Sequence, residues 1–296
     1  MRENKFEITG ASLKWIAIIT MFIDHFAATV LENYLTYAQY NTAGGAAGGA
    51  ARGNGILSVL LSWETYSFLR DVGRLAFPIF IFLMVEGFFY TRSRKKYLIR
   101  MLIFSAVSEI PFDLAFNYGW TFSSASPVKL PEFVAKVTRY LPIEFTSQNV
   151  FFTLTIGFAA IWLCNTIMDY APQGPYPFLS EAIKILLLFA VILGGSFLAE
   201  LLETDYSGMG VIAMIACFLI KKKGGKPYMA MTATVFMLVL MSSNELPAVL
   251  DIAFVAFYHG TKGKNINKWF FYLFYPVHLT LLWAIAYFFF TRNYLY

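Results

Sequence analysis

Long apolar runs alternate with short polar stretches along almost the whole chain. The runs cover Ser12–Leu31, Asp71–Tyr90, Tyr97–Phe116, Asn149–Met168, Glu181–Leu202, Ser207–Ile220, Pro227–Met241, Leu246–Tyr258 and Trp269–Phe290. A helix rises about 1.5 Å per residue, so roughly 20 apolar residues cross about 30 Å of hydrocarbon. The pattern therefore predicts an all-α protein, a polytopic transmembrane helix bundle of about nine spans, within a range of about eight to eleven. The runs from Ser207, Pro227 and Leu246 are short for a crossing and are expected to be packed inside the bundle or broken. A single transmembrane domain is expected over residues 1–296.

The polar stretches set the orientation. With the N-terminus in the cytoplasm, the inside loops hold Arg92, Arg94, Lys95 and Lys96, then Lys221, Lys222, Lys223 and Lys226, then Lys262, Lys264 and Lys268. The outside loops are poorer in Lys and Arg, as the positive-inside rule requires, and an odd span count puts Tyr296 outside. Two outside loops are long. Residues 41–55 are Gly- and Ala-rich and read as a flexible connector. Residues 117–147 include PEFVAKVTRYLP, an amphipathic stretch suited to the outer membrane surface.

Composition sharpens this picture. At 58% hydrophobic and 14% charged residues, the chain is too apolar for a soluble domain. The net charge of +5 resides in the interspan clusters, where it serves topology, so no nucleic-acid partner is expected. Cys164 and Cys217 lie within apolar runs without metal-ligand or redox spacing, so they read as packing residues and no metal site is expected. A signal peptide fits the N-terminus poorly, because Lys14, Asp24 and His25 interrupt its apolar core. The expected localisation is a multi-pass cell-membrane protein in contact with the lipid bilayer.

Ionisable groups inside spans are expensive, at about 3 kcal/mol each on insertion scales, so each needs a partner or a function. Asp24 and His25 lie in the first run. Arg70 and Arg74 open the second and Glu86 closes it; Glu109 and Asp113 end the third around Pro111; His278 lies in the last. Arg70 and Arg74 share a helix face, as do Glu109 and Asp113, so two cations and two anions meet at one depth and favour an ion-pair clamp between adjacent helices. Eleven residues at about 100° each end only about 20° past three full turns, so Lys14 and His25 lie on one stripe about 16 Å apart. A cation at the cytoplasmic mouth below a deeper imidazole suits a long anionic cofactor. Asp24 points away from that stripe, toward another helix.

LKWIAIITMFIDHFA, GRLAFPIFIFLMVEGFFYTRSRKKYLIRMLIFSAVSEIPFDL, QNVFFTLTIGFAAIW, TDYSGMGVIAM and FYLFYPVHLTLLW, in this order, resemble the TraX family, named for a conjugation protein implicated in acetylating the pilin N-terminus. TraX-like proteins are in turn similar to the membrane acyltransferases of acyltransferase family 3, whose first span carries a basic residue, ten others and then histidine. Lys14 and His25 fit that spacing, with lysine where arginine is common. The resemblance implies acetyl transfer from cytoplasmic acetyl-CoA to an amine or hydroxyl acceptor, a pilin N-terminus or a surface polymer. It implies His25 as catalytic base beside Asp24, and Lys14 at the cofactor. Arg74, Asn149 and Tyr206 are candidate oxyanion donors, and Asp205 belongs to the same block as Tyr206. Two other classes stay open: a transporter, in which intramembrane charges line a substrate path, and a non-catalytic assembly factor for pili or conjugation.

Overall fold

The computed structural model describes residues 7–43, 56–117, 147–170, 177–264 and 267–291. Among these residues the regular structure is helical: α1 Gly10–Phe26, α2 Glu32–Ala43, α3 Ile56–Leu60, α4 Trp63–Gly73, α5 Ala76–Tyr90, α6 Arg94–Phe112, α7 Val150–Asp169, α8 Pro177–Leu201, α9 Ser207–Lys222, α10 Pro227–Met241, α11 Leu250–Ala256 and α12 Lys268–Ala286. π-helical turns follow α1, α6 and α12, and a 3-10 turn, Ser243–Val249, precedes α11. Among the described residues, five helical stretches are long and apolar enough to cross a membrane: Gly10–Gln39, Trp63–Tyr90, Val150–Asp169, Phe178–Leu201 and Trp269–Phe289. The all-α membrane bundle expected from the sequence is thus present.

Several boundaries move. The first apolar stretch does not stop at Leu31 but continues through its π-turn into α2, because Glu32–Ala43 keeps helical geometry despite its polar composition. Residues 41–43, taken above as the start of a loop, therefore end α2, while the rest of that loop and the PEFVAKVTRYLP stretch lie outside the described residues. The second stretch begins at Trp63, where Ser62 caps α4 by accepting the Thr65 amide at 3.2 Å. Arg70 and Arg74 consequently lie well inside a helical stretch rather than at its start.

The chain divides into two compact units. The first comprises residues 1–17, 76–106 and 145–265. Its core is the all-round apolar α5, with Phe82 and Phe88 fully buried and Phe88 edge-on to Phe158 and Phe218 at 5.6 and 5.5 Å. Gly157 lets α9 approach closely, since a Cβ there would run into Met214. The long α8 instead exposes Phe178, Leu186, Phe189, Leu193 and Phe197. A helix this apolar and this exposed is stable where hydrocarbon rather than water covers it.

The two ends of this unit carry different chemistry. At one end the start of α1 is pinned by Thr261 and Lys262, whose carbonyls accept from Gly10 and Ala11 at 2.8 and 3.0 Å, satisfying two amides of the first turn. The ends of α7 and α9 meet through Lys222, bonded to Asp169 and Asn165. Lys221 pairs with Glu86, which also accepts from the Tyr258 hydroxyl at 3.4 Å. At the other end Asn149 caps α7 and donates to the Ser105 carbonyl at 2.8 Å, and Gln148 bridges Thr204.

The second unit comprises residues 18–75, 107–144 and 266–296. It holds the second half of α1, α2 to α4, the end of α6, α12 and all three π-turns. A π-turn widens the helix and releases a carbonyl from its usual partner. After α1 that release is met by side chains: Thr29 donates to the His25 carbonyl at 2.6 Å and Asn33 donates to the Thr29 carbonyl at 2.5 Å.

Candidate functional site

A polar cluster of the second unit starts at the last turn of α1. His25 lies half-buried there, immediately before the π-turn Ala27–Leu31. Its Nδ1 is 2.7 Å from Nε2 of His278 on α12, a residue 3% exposed. The ring centroids are 5.0 Å apart and the planes differ by 4°. That centroid separation exceeds the nitrogen separation by the two ring radii, so the imidazoles meet edge to edge in one plane, as an N–H···N bond requires, rather than face to face. Phe116 and Tyr275 hold the His25 ring in edge contacts at 5.3 and 5.8 Å. Phe274 stacks on His278 at 4.7 Å, and Nδ1 of His278 lies 2.7 Å from the Phe274 carbonyl. Pro276, between these two residues, withholds an amide from the helix and loosens it locally.

Asp24 turns away from His25, as the helical spacing requires. It accepts from Arg70 Nη1 at 2.7 Å, and the Arg74 charge acts on it as well. This corrects the pairing expected above, in which Arg70 met Glu109 or Asp113. The reason is local. Arg70 and Arg74 lie one turn apart on either side of Gly73, and Asp24 packs where a Gly73 Cβ would otherwise stand. The missing side chain lets the carboxylate settle between two cations. Tyr66, one turn before Arg70, donates to Glu32 at 3.1 Å and extends the network. Glu109 and Asp113 are buried, and they and Arg74 make further interactions within the protein.

The remaining candidates belong to the first unit. Lys14 is half-buried on the first turns of α1 and feels the charge of Lys262, so two cations share that end. Glu86 is engaged by Lys221 and Tyr258. The Asn149 carboxamide serves the α7 cap and the Ser105 carbonyl, a structural use of the group proposed above as an oxyanion donor. Tyr206 stacks on Phe77 with centroids 3.6 Å apart, while the Asp205 amide donates to the Gln148 carbonyl at 3.0 Å. Asp251 on α11, passed over in the sequence, is fully buried with both carboxyl oxygens lacking a hydrogen-bond partner among the described residues.

The structure thus adds Gly73, Tyr66, Glu32 and the pairing of His278 with His25 to what the sequence suggested. A helix-borne imidazole pair beside a half-buried ion pair, in a bundle with a lipid-exposed apolar surface, defines a helical membrane protein with polar machinery inside its spans. The chain belongs to the TraX protein family, whose match covers residues 9–286. It is similar to the probable fimbrial assembly protein FimC, serogroup H1, of Dichelobacter nodosus, at 29% identity over 297 residues, covering 95% of this chain and 96% of that protein. No solved structure matches it.

Proposed function

We propose that this protein is an integral membrane acyltransferase that moves an acetyl group from cytoplasmic acetyl-CoA to an amine or hydroxyl of a pilus subunit or surface polymer. The observation that carries the reading is the His25–His278 pair: a histidine inside a span, hydrogen-bonded to a second imidazole, with the neighbouring carboxylate already taken by Arg70. An imidazole spared a salt bridge is available to take a proton from an attacking nucleophile. The similarity to acyltransferase family 3 in the spacing of Lys14 and His25 supports the donor, and the name of the Dichelobacter relative supports a fimbrial or pilus context.

Lys14 and Lys262 supply paired positive charge for the phosphates of the donor. Lys14→Ala is expected to raise the KM for acetyl-CoA by about tenfold with little change in kcat, because a remote phosphate contact is similar in ground and transition states. Lys14→Glu should be worse, and Lys14→Arg close to the parent. An unchanged KM in Lys14→Ala, with altered insertion or stability, would reduce Lys14 to an interfacial anchor.

A cytoplasmic N-terminus is supported by one end of the first unit, which gathers the start of α1, the Lys221–Lys222 turn and the Lys262 segment. Reporter fusions after Lys96 and Lys223 should read cytoplasmic and a fusion after Tyr296 external. A cytoplasmic signal at Tyr296 would overturn the odd number of crossings.

The decisive experiment is transfer of labelled acetyl from acetyl-CoA by purified protein to pilin or isolated surface polymer. The relative's name favours a second reading, a non-catalytic assembly factor. Under it no label moves, while pilus assembly still depends on the protein.

A further inference from the structure

We infer that His278 is a positioning residue that fixes His25 in the tautomer whose Nε2 lone pair is free to act as base. The inference rests on the acyl-transfer reading for its consequence but on hydrogen bonding alone for its content. A carbonyl oxygen only accepts, so the 2.7 Å contact between His278 Nδ1 and the Phe274 carbonyl places a hydrogen on that nitrogen. In a neutral ring the other nitrogen is then an acceptor. His278 Nε2 therefore accepts from His25 Nδ1 across the 2.7 Å edge-to-edge contact. His25 has its one hydrogen on Nδ1, and its Nε2 is left with a lone pair.

The alternative, a protonated pair, would hold a cation among Phe22, Phe116, Phe274 and Tyr275 with no carboxylate touching either ring among the described residues. The neighbouring Asp24 carboxylate already serves Arg70. Burying an unpaired charge among these rings is the costlier state. Backbone carbonyl, His278 and His25 thus form a chain whose direction is set at Phe274, a helix carbonyl that cannot reverse.

The chain has a use in acyl transfer. The acceptor N–H or O–H gives its proton to His25 Nε2 as its heavy atom bonds to the thioester carbon. While His25 is cationic, its Nδ1–H stays bonded to His278 Nε2, which shares the charge. The carbon–sulfur bond then breaks, the thiolate takes the proton from Nε2, and acetylated acceptor and free thiol result. His278 plays the part that a carboxylate plays behind the histidine of a hydrolase triad, without bringing a permanent charge into the span.

The test uses the full chain, labelled with 15N-histidine, in lipid nanodiscs, with His25, His259 and His278 assigned by single substitutions. The expected spectrum shows His25 and His278 both protonated at Nδ1. His278→Ala should shift His25 toward the Nε2–H form and lower kcat by about 10- to 100-fold, with the acetyl-CoA KM within about twofold. His278→Gln places an amide oxygen where Nε2 stood, and should keep His25 protonated at Nδ1 and most of the activity. A parent protein with His25 protonated at Nε2 overturns the inference, as does a His278→Ala variant whose His25 tautomer is unchanged. The spectrum separates this failure from that of the functional reading. Nδ1–H on His25 without acetyl transfer sinks the enzyme and leaves the relay; transfer with Nε2–H on His25 does the reverse.

Discussion

Replacing His25 with alanine should lower acetyl transfer by about 10² to 10⁴, the range for loss of a general base, while the protein remains folded. The structural cost is small, because the side chain makes one hydrogen bond and two aromatic edge contacts. Its loss leaves His278 Nε2 without a donor, about 1–3 kcal/mol for an orphaned buried acceptor. The effect should fall on kcat, since the imidazole acts only when the nucleophile attacks. Single-turnover acetylation by purified protein, alongside melting temperature in the same detergent, separates the two contributions. Near-parent turnover in a folded His25→Ala protein would remove His25 from the chemistry and make His278 the next residue to test as the base.

The second large effect concerns stability. Asp24→Arg should cost about 3 kcal/mol or more, because it sets three cations side by side where one ion pair stood. Arg70→Asp should be similarly harmful, and the double reversal should recover part of the loss. Gly73 provides an independent check. A methyl group there would collide with the Asp24 side chain, so Gly73→Ala should approach the single reversals in severity. In an Asp24→Gly background the carboxyl and the Cβ that such a methyl would strike are both gone, and Gly73→Ala should then cost much less. Thermal unfolding in detergent reads each corner of both cycles. Additive losses in both would show that Asp24, Arg70 and Gly73 do not form one unit.

The legible part of this protein was its solvent. Apolar runs of the right length, with Lys and Arg between them, identify a helical membrane bundle because hydrocarbon demands internally satisfied backbone and expels charge. The same rule marked His25, Asp24, Arg70 and His278 as residues needing partners, since charge in a span stands out against its neighbours. Helical geometry also separated Asp24 from His25, as consecutive residues point about 100° apart.

The partners were another matter. Arg70 and Arg74 with Glu109 and Asp113 formed a plausible quartet by spacing, yet Arg70 binds Asp24 because Gly73, the smallest residue on that face, opens room for it. Nothing in one strand of text says that a glycine between two arginines is a seat for a carboxylate from another helix. The α2 extension was hidden for a related reason: Glu32–Ala43 is weakly apolar and looks like a loop, while Tyr66 from α4 donates to Glu32 and ties it in place.

By itself, then, the sequence determined the environment, the helical class and which side chains were costly enough to matter, because those follow from composition and from the period of one helix. Tertiary structure decided which costly groups meet. The His25–His278 bond joins residues 253 positions apart, one in the last turn of α1 and the other within α12. Local periodicity carries no information across that separation. Only the packing of the two helices brings Nδ1 of one imidazole to Nε2 of the other.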